Sequence, residues 1–135
     1  MPHKKTMEST APALFDPLRA RRLRERSRQS DRFLMRAIAD LLGERLSCMN
    51  RAFDSVLAIG EPVAMARAPA RRIILNTTDP ALAGSGLDAN LEALPFAAHS
   101  FDLATITGEL HCVNDLPGCL IQLNRVLRPD GLLLA

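Results

Sequence analysis

The stretch from Thr107 to Asp115 places a histidine, a thiol and several polar side chains within nine residues. His111 can serve as a general base, because an imidazole titrates near neutral pH. A histidine that only positions this loop is the alternative. Cys112 is next to His111, but sequence neighbours rarely face each other as a Cys–His dyad must. The sequence therefore predicts His111 as the candidate catalytic residue and does not favour a cysteine nucleophile.

Elements of two kinds alternate around these residues. Short apolar runs predict strands, and apolar residues at helical spacing predict helices that begin near Asp16, Asp31 and Asp115. The alternation predicts an α/β fold, a partial doubly wound, Rossmann-like and mostly parallel sheet preceded by N-terminal helices. The predicted strands are residues 53–60, 72–76, 87–91, 101–107 and 131–135, and residues 61–68 form at most a short helix.

The predicted organisation has three parts. Residues 1–13 are expected to be disordered, residues 14–50 to form the N-terminal helices, and residues 51–135 to form an incomplete α/β domain. The domain is expected to be incomplete because the last predicted strand stops at Ala135. In a doubly wound sheet, ligands bind outside the carboxyl ends of the strands, which directs attention to the residues that follow each strand.

Composition excludes several classes of protein. The 135 residues are 47% hydrophobic and 24% charged, as in an ordinary globular domain. No apolar run approaches the ~20 residues of a membrane span, and no secretory signal is visible. The cysteines Cys48, Cys112 and Cys119 lack the spacing of metal ligands. They are expected to be free thiols, which predicts a reducing, cytoplasmic location and no metal.

Charge is distributed unevenly along the chain. The first 36 residues carry ten basic and four acidic side chains, and the remainder is net acidic. Contact with an anionic partner is one interpretation, and a solvated helix face is the favoured one. No aromatic residues alternate with the arginines, so nucleic acid is not favoured as a partner.

The segment Asn90-Leu91-Glu92-Ala93-Leu94-Pro95-Phe96, followed by Ser100-Phe101-Asp102, closely resembles S-adenosylmethionine (SAM)-dependent methyltransferases of the doubly wound class. The run Arg125-Val126-Leu127-Arg128-Pro129-Asp130-Gly131 supports the same resemblance. The arginine-rich segment 14–27 resembles a proteobacterial and mitochondrial subgroup. That subgroup includes the complex I assembly factor of methyltransferase fold, which is known as a protein-arginine hydroxylase.

The resemblance implies a set of cofactor residues. Gly60 matches the first glycine of the family's cofactor loop, whereas Ala58, Pro62 and Ala64 replace its acid and its later glycines. The family's ribose-binding acid corresponds to Asp79, with Asn76 as the competing candidate. Implied cofactor-binding residues are thus Gly60, Asp79, Asn90, Leu91 and Thr107, and Thr107 and His111 are expected to face the reacting centre.

By resemblance, the chain would transfer the methyl group of SAM to an unknown acceptor, for which a protein is one option. Such catalysis depends mostly on positioning the reactants. A non-catalytic or hydroxylating relative that acts in complex I assembly is the first alternative. A truncated remnant without activity is the second, because the family's sheet normally has seven strands and this sequence ends within the fifth.

Overall fold

A computed structural model describes residues 13–27, 32–77, 82 and 86–135 of the chain. Residues 1–12 of the segment that was predicted to be disordered lie outside the described residues, as does the candidate Asp79. Two N-terminal helices precede a sheet whose strands alternate with irregular segments and a third helix. The elements are α1 (Pro17–Ser27), α2 (Phe33–Ser47), β1 (Ser55–Gly60), β2 (Arg71–Leu75), β3 (Phe101–Thr107), α3 (Leu116–Val126) and β4 (Leu127–Leu134), with a 3-10 turn at Leu110–Cys112.

The strands form one sheet of order β2-β1-β3-β4, and every pairing within the described residues is parallel. The α/β, doubly wound fold expected from the sequence is confirmed. From β1 the chain moves outward to β2 and then returns to the other side of β1 as β3. The strand order therefore reverses between β1 and β3, where Gly60 is paired with Thr107. This reversal is where an open α/β sheet binds its ligands.

Both faces of the sheet are covered by a helix. On one face Leu42 and Leu46 of α2 pack with Val56 of β1 and Leu103 of β3. On the other face α3 packs Cys119, Leu123 and Val126 against a cluster that includes Leu57 and Phe101. All six residues of β1 are buried, which explains why this strand is an uninterrupted apolar run in the sequence.

Residues 61–68, which were expected to form at most a short helix, are irregular, as is the chain on to Ala70. Pro69 disfavours helical geometry at Ala68, the residue before it. In addition, α2 already occupies this side of the sheet. A Cβ added at Gly43 of α2 would lie 3.1 Å from the carbonyl oxygen of Ala64. The backbone after β1 is thus packed beneath α2 rather than wound into a crossover helix.

Two predicted strands also differ from the structure. The expected third strand, residues 87–91, is reduced to one bridge between Leu87 and Leu75. The last strand begins at Leu127, four residues before the predicted Gly131. Leu127 is already extended, with φ −77° and ψ 144°, and Pro129 disfavours helical geometry at the residue before it. The helix therefore passes directly into the strand, and no turn separates them.

The loop that bears the methyltransferase-like segment is held by Arg125 of α3. Its guanidinium donates hydrogen bonds of 2.9 Å to the carbonyl oxygen of Leu94 and 2.7 Å to that of Phe96. Phe96 also packs edge-to-face on Phe101, with ring centroids 5.2 Å apart. These contacts fix the loop that carries the predicted Asn90 and Leu91 against the sheet.

Candidate functional site

Gly60 and Thr107 meet at the carboxyl edge, where the strand order reverses. Gly60 has φ +83°, and a Cβ at this position would lie 2.2 Å from the carbonyl oxygen of Thr107. The glycine is therefore required by the neighbouring strand itself, independently of any ligand. The Thr107 hydroxyl donates a 3.1 Å hydrogen bond to the carbonyl oxygen of Glu61 and so fixes the first residue of the following loop.

Asn90 and Leu91 are brought to the same edge by a tight turn. The side-chain oxygen of Asn90 accepts a 3.0 Å hydrogen bond from the Glu92 N–H, and Leu91 is buried in the core. The Glu92 carboxylate accepts hydrogen bonds from the N–H groups of Asn114 (2.7 Å) and Asp115 (3.1 Å). This loop and the start of α3 are consequently a single hydrogen-bonded unit.

Asn76, the competing candidate for the ribose position, has a structural task. It lies directly after β2 with φ +53°. Its side-chain amide donates a 3.0 Å hydrogen bond to the carbonyl oxygen of Ala89 and accepts a 3.0 Å hydrogen bond from the Ala89 N–H. Both sides of the amide are thus used to fasten the loop after Leu87 to β2.

Helix α1 lies across this edge and is held at both ends by polar contacts. Before its first turn, the Phe15 N–H donates 2.7 Å to the Asn114 side-chain oxygen, and the Asn114 amide nitrogen donates 2.9 Å to the Phe15 carbonyl oxygen. Further along the helix, Arg21 is 3.1 Å from Asp88. Arg24 is 3.8 Å from Asp88 and 3.4 Å from Glu109. The helix therefore forms a roof above the strand ends.

Two cavities lie beneath this roof. The larger is about 650 Å³ and includes His111 and Cys112 in its wall, together with apolar side chains from α1 and α2. The smaller is about 260 Å³ and is lined by Asn76, Asn90 and Leu91, among others. Six residues line both cavities: Phe15, Asp16, Ala20, Arg24, Glu109 and Cys112. The structure thus brings His111, Asn90 and Leu91 to adjoining cavities, whereas Gly60 and Thr107 line neither of the two.

Two of the ionisable groups shared by the cavities, Glu109 and Cys112, have raised pKa values. Burial raises the pKa of Glu109 above its usual value near 4.5, and the Arg24 guanidinium only partly opposes this. Burial also raises the pKa of Cys112, with a further contribution from the negative charge of Glu109. A thiol with a raised pKa holds little thiolate at neutral pH. The site therefore favours Glu109 and His111 over Cys112 for proton transfer.

A buried ion pair joins Arg32, at the start of α2, to Glu61, the residue after β1. Sequence reasoning missed both residues, as it missed Arg24, Asp88 and Glu109. One signal was available, since an acid directly after a strand-ending glycine stands at the ligand edge of the sheet. The favoured interpretation of the basic segment as a solvated face holds for Arg19, Arg22 and Arg26, which are exposed. Arg24 and Arg32 turn inward instead.

The described residues contain no group of three or more His, Cys, Asp or Glu side chains arranged to hold a metal ion. Among the helices that the structure describes, none has the length and apolar content needed to cross a membrane.

A profile of the methyltransferase domain family matches residues 61–135, which is more than half of the chain. Locally similar proteins include the arginine-hydroxylase NDUFAF5 of Danio rerio, mitochondrial, which is 49% identical over 43 residues, or 32% of this chain and 13% of that protein. The ubiquinone/menaquinone biosynthesis C-methyltransferase UbiE of Shewanella sp. (strain ANA-3) is 48% identical over 50 residues, or 37% of this chain and 20% of that protein. The matched segments span a fifth or less of these relatives.

Two solved structures share the fold. A protein described as an S-adenosyl-L-methionine-dependent methyltransferase from Methanococcus maripaludis superposes with a TM-score of 0.53 at 18% identity, covering 92% of this chain and 64% of that one. A SAM-dependent methyltransferase from Thermotoga maritima superposes with a TM-score of 0.52 at 18% identity, covering 84% of this chain and 57% of that one.

SAM is the cofactor that a methyltransferase domain implies, and the cavity walls fit such a ligand. The Nε–H of Arg24 is fully buried and has no hydrogen-bond partner in the described part of the chain. A buried donor without an acceptor is rare in proteins, and a ligand oxygen at this position would satisfy it. Asn90 and Leu91 line the adjoining smaller cavity, as expected for the adenine end. Residues 60–64 line neither cavity, so the fit rests on the roof and the Asn90 loop.

Proposed function

Because this chain belongs to the methyltransferase domain family, we propose that it binds SAM beneath α1 and transfers the methyl group to an acceptor in the larger cavity. One observation carries the proposal. The smaller cavity, with Asn90 and Leu91, and the larger cavity, with His111, share a wall at the carboxyl edge of the sheet. A cofactor seated in the first would present its reactive end to an acceptor in the second.

When bound, SAM supplies a methyl group on a positively charged sulfur, which an acceptor atom displaces in line. The protein's residues position the two reactants and take up the acceptor's proton. Glu109 suits the second task because its carboxylate is largely buried, has a raised pKa and lines both cavities. His111 is the second candidate base, since it is exposed in the 3-10 turn at the wall of the larger cavity.

The acceptor is proposed to carry an apolar portion. Leu14, Leu23, Leu34 and Met35 supply much of the larger cavity's wall, and burying such side chains against an apolar ligand is favourable. UbiE, whose name assigns it to quinone biosynthesis, is similar to part of this chain and provides a precedent for an apolar acceptor. A protein segment with an apolar side chain beside its methylated atom meets the same requirement.

Calorimetric titration with SAM and S-adenosylhomocysteine tests the proposal, followed by methyl transfer to a panel of apolar phenols and peptides. We expect micromolar binding of both ligands. Glu109→Gln should lower turnover on any accepted substrate by about 100-fold, in the range of general-base catalysis. Arg22→Gln, a change of an exposed residue on the same helix, is the matched control. A folded chain that binds neither ligand would refute this function.

A second candidate is a partner-binding relative of the arginine-hydroxylase NDUFAF5, to which a segment of this chain is 49% identical. The observation that favours it is the exposure of Phe33, Leu34 and Leu41 on α2. Exposed apolar side chains grouped on one helix are a common feature of protein interfaces. Under this candidate, Phe33→Ser with Leu41→Ser would abolish co-purification of a specific partner and leave ligand binding unchanged. Unchanged partner recovery would exclude it.

We place the protein in the cytoplasm. Cys48, Cys112 and Cys119 are free in the structure, and unpaired thiols suit a reducing compartment. Cell fractionation with an antibody against the chain tests this location. Recovery of the protein in an organelle or on the outside of the cell would refute it.

A further inference from the structure

Arg24 stands between the two cavities and lines both of them. It belongs to the roof helix α1, yet its side chain is only 19% exposed because it points down to the sheet edge. Its Nη1 lies 3.4 Å from Glu109, and its Nη2 lies 3.8 Å from Asp88. The two terminal nitrogens therefore face acids that come from different loops of the α/β domain.

The third guanidinium nitrogen is in a different situation. Nε is buried, and no hydrogen-bond acceptor for its N–H exists in the described part of the chain. A guanidinium donates in the plane of a rigid fork, so fixing the two terminal nitrogens also fixes the direction of the Nε–H. An unpaired donor held in this way lowers the stability of the fold unless a bound molecule supplies an oxygen.

Position indicates which oxygen that is. The smaller cavity is lined by the Asp88–Glu92 loop, where the adenine end is expected, and the larger cavity is expected to hold the sulfur and the acceptor. In SAM the group that joins the adenine to the sulfur-bearing carbon is ribose, which carries two hydroxyl groups. Asn76 is a poor ribose ligand because both sides of its amide are hydrogen-bonded to Ala89.

We propose that Arg24 binds the ribose of the bound nucleoside by donating a hydrogen bond from its Nε–H to a ribose hydroxyl oxygen. The inference rests on the proposed function. It makes α1 a component of the cofactor site, in addition to its place as the roof. It also accounts for an arginine that is turned inward from an otherwise exposed, arginine-rich helix.

Competition calorimetry tests the inference by comparing adenosine with 2′,3′-dideoxyadenosine as competitors of S-adenosylhomocysteine. We expect the wild-type chain to prefer adenosine by roughly 10- to 100-fold, the range of a hydrogen bond from a charged donor. Arg24→Lys keeps the charge that faces Glu109 and Asp88 but lacks the Nε–H. It should lose most of this preference. Arg22→Lys, on the exposed side of the same helix, should keep it.

A direct measurement on the wild-type chain makes the test independent of how the variants fold. The ¹⁵N–¹H resonance of the Arg24 Nε should shift with adenosine and shift much less with 2′,3′-dideoxyadenosine. Equal affinities for the two nucleosides, or a preference that survives Arg24→Lys, would overturn the assignment of Arg24. Failure of S-adenosylhomocysteine and adenosine to bind the folded wild-type chain would instead refute the proposed function itself.

Discussion

The buried pair of Arg32 and Glu61 offers a strong test of the structure. It joins the start of α2 to the residue that follows β1, and the two side chains are only 5% and 6% exposed. Two charges so deep in a protein are costly to desolvate, and their mutual attraction offsets part of that cost. Breaking such a pair at one side should therefore be far more damaging than replacing both sides.

The expected magnitudes follow from this burial. Glu61→Gln, or Arg32→Met alone, should lower the free energy of unfolding by about 3–5 kcal/mol, because the charge that stays buried loses its oppositely charged partner of this pair. The double change to methionine at both positions should return to within about 1–2 kcal/mol of the wild type, since it leaves no buried charge. Glu25→Gln, which breaks an exposed pair with Arg21, should cost less than about 1 kcal/mol.

Urea unfolding followed by circular dichroism is the suitable assay, because the chain has no tryptophan or tyrosine to report by fluorescence. If the free energy of unfolding falls by about 2 kcal/mol per molar urea, a loss of about 4 kcal/mol lowers the midpoint of unfolding by roughly 2 M. Single variants within about 1 kcal/mol of the wild type would refute the reasoning. A double variant as unstable as Glu61→Gln would refute it equally.

Four further predictions concern the sheet edge. Thr105→Val should raise the free energy of unfolding by about 1 kcal/mol in urea titrations, because its buried hydroxyl has no partner among the described residues. Thr107→Val should lower it by about 1–2 kcal/mol, since that hydroxyl bonds Glu61. If Thr105→Val and Thr107→Val changed the free energy of unfolding equally, this expectation would be contradicted. Gly60→Ala should lower the free energy of unfolding by about 3 kcal/mol or more in the same assay, because the alanine Cβ would overlap the Thr107 carbonyl oxygen at a positive φ. A near-neutral result would contradict the close approach of β1 and β3. The pKa of Glu109 is raised on folding, so the stability it contributes is complete below pH 4.5 and declines as pH rises through the folded pKa. Glu109→Gln should remove this decline of the free energy of unfolding with pH, measured by urea titrations at a series of pH values above 4.5. An unchanged dependence on pH would contradict the prediction.

Elements with strong local signals were predictable from the sequence. The first and fourth predicted strands appear as β1 and β3, and the latter has the predicted bounds, Phe101–Thr107. Asp115 was expected to cap α3, and its carboxylate accepts a 2.9 Å hydrogen bond from the Gly118 N–H. Each of these depends on a short apolar run or on a capping residue, so a few neighbouring residues determine it.

The structural features that the sequence did not predict all depend on residues far apart in the chain. Residues 61–70 form no helix because α2, from the N-terminal part of the chain, packs on them. Arg24 turns inward because it meets an acid 85 positions away. Periodicity along one helix cannot report such partners, since a helix surface looks the same whether its charges face water or acids from another element. The same limit explains why the sequence did not show that Gly60, matched to a cofactor glycine, is also required by the neighbouring strand.

The uneven charge of the chain now has a structural explanation. Helix α1 exposes Leu18 and Leu23, so apolar burial gives it little attachment to the sheet. Ionic contacts attach it to the α/β domain instead, chiefly from Arg21 and Arg24 to Asp88 and Glu109. A roof attached by charge over these cavities can be held more firmly by a ligand that offers oxygen atoms to the same arginines, because those hydrogen bonds add to the existing pairs. Under the proposed function, the basic helix and the loops that carry Asp88 and Glu109 are thus complementary halves of one site.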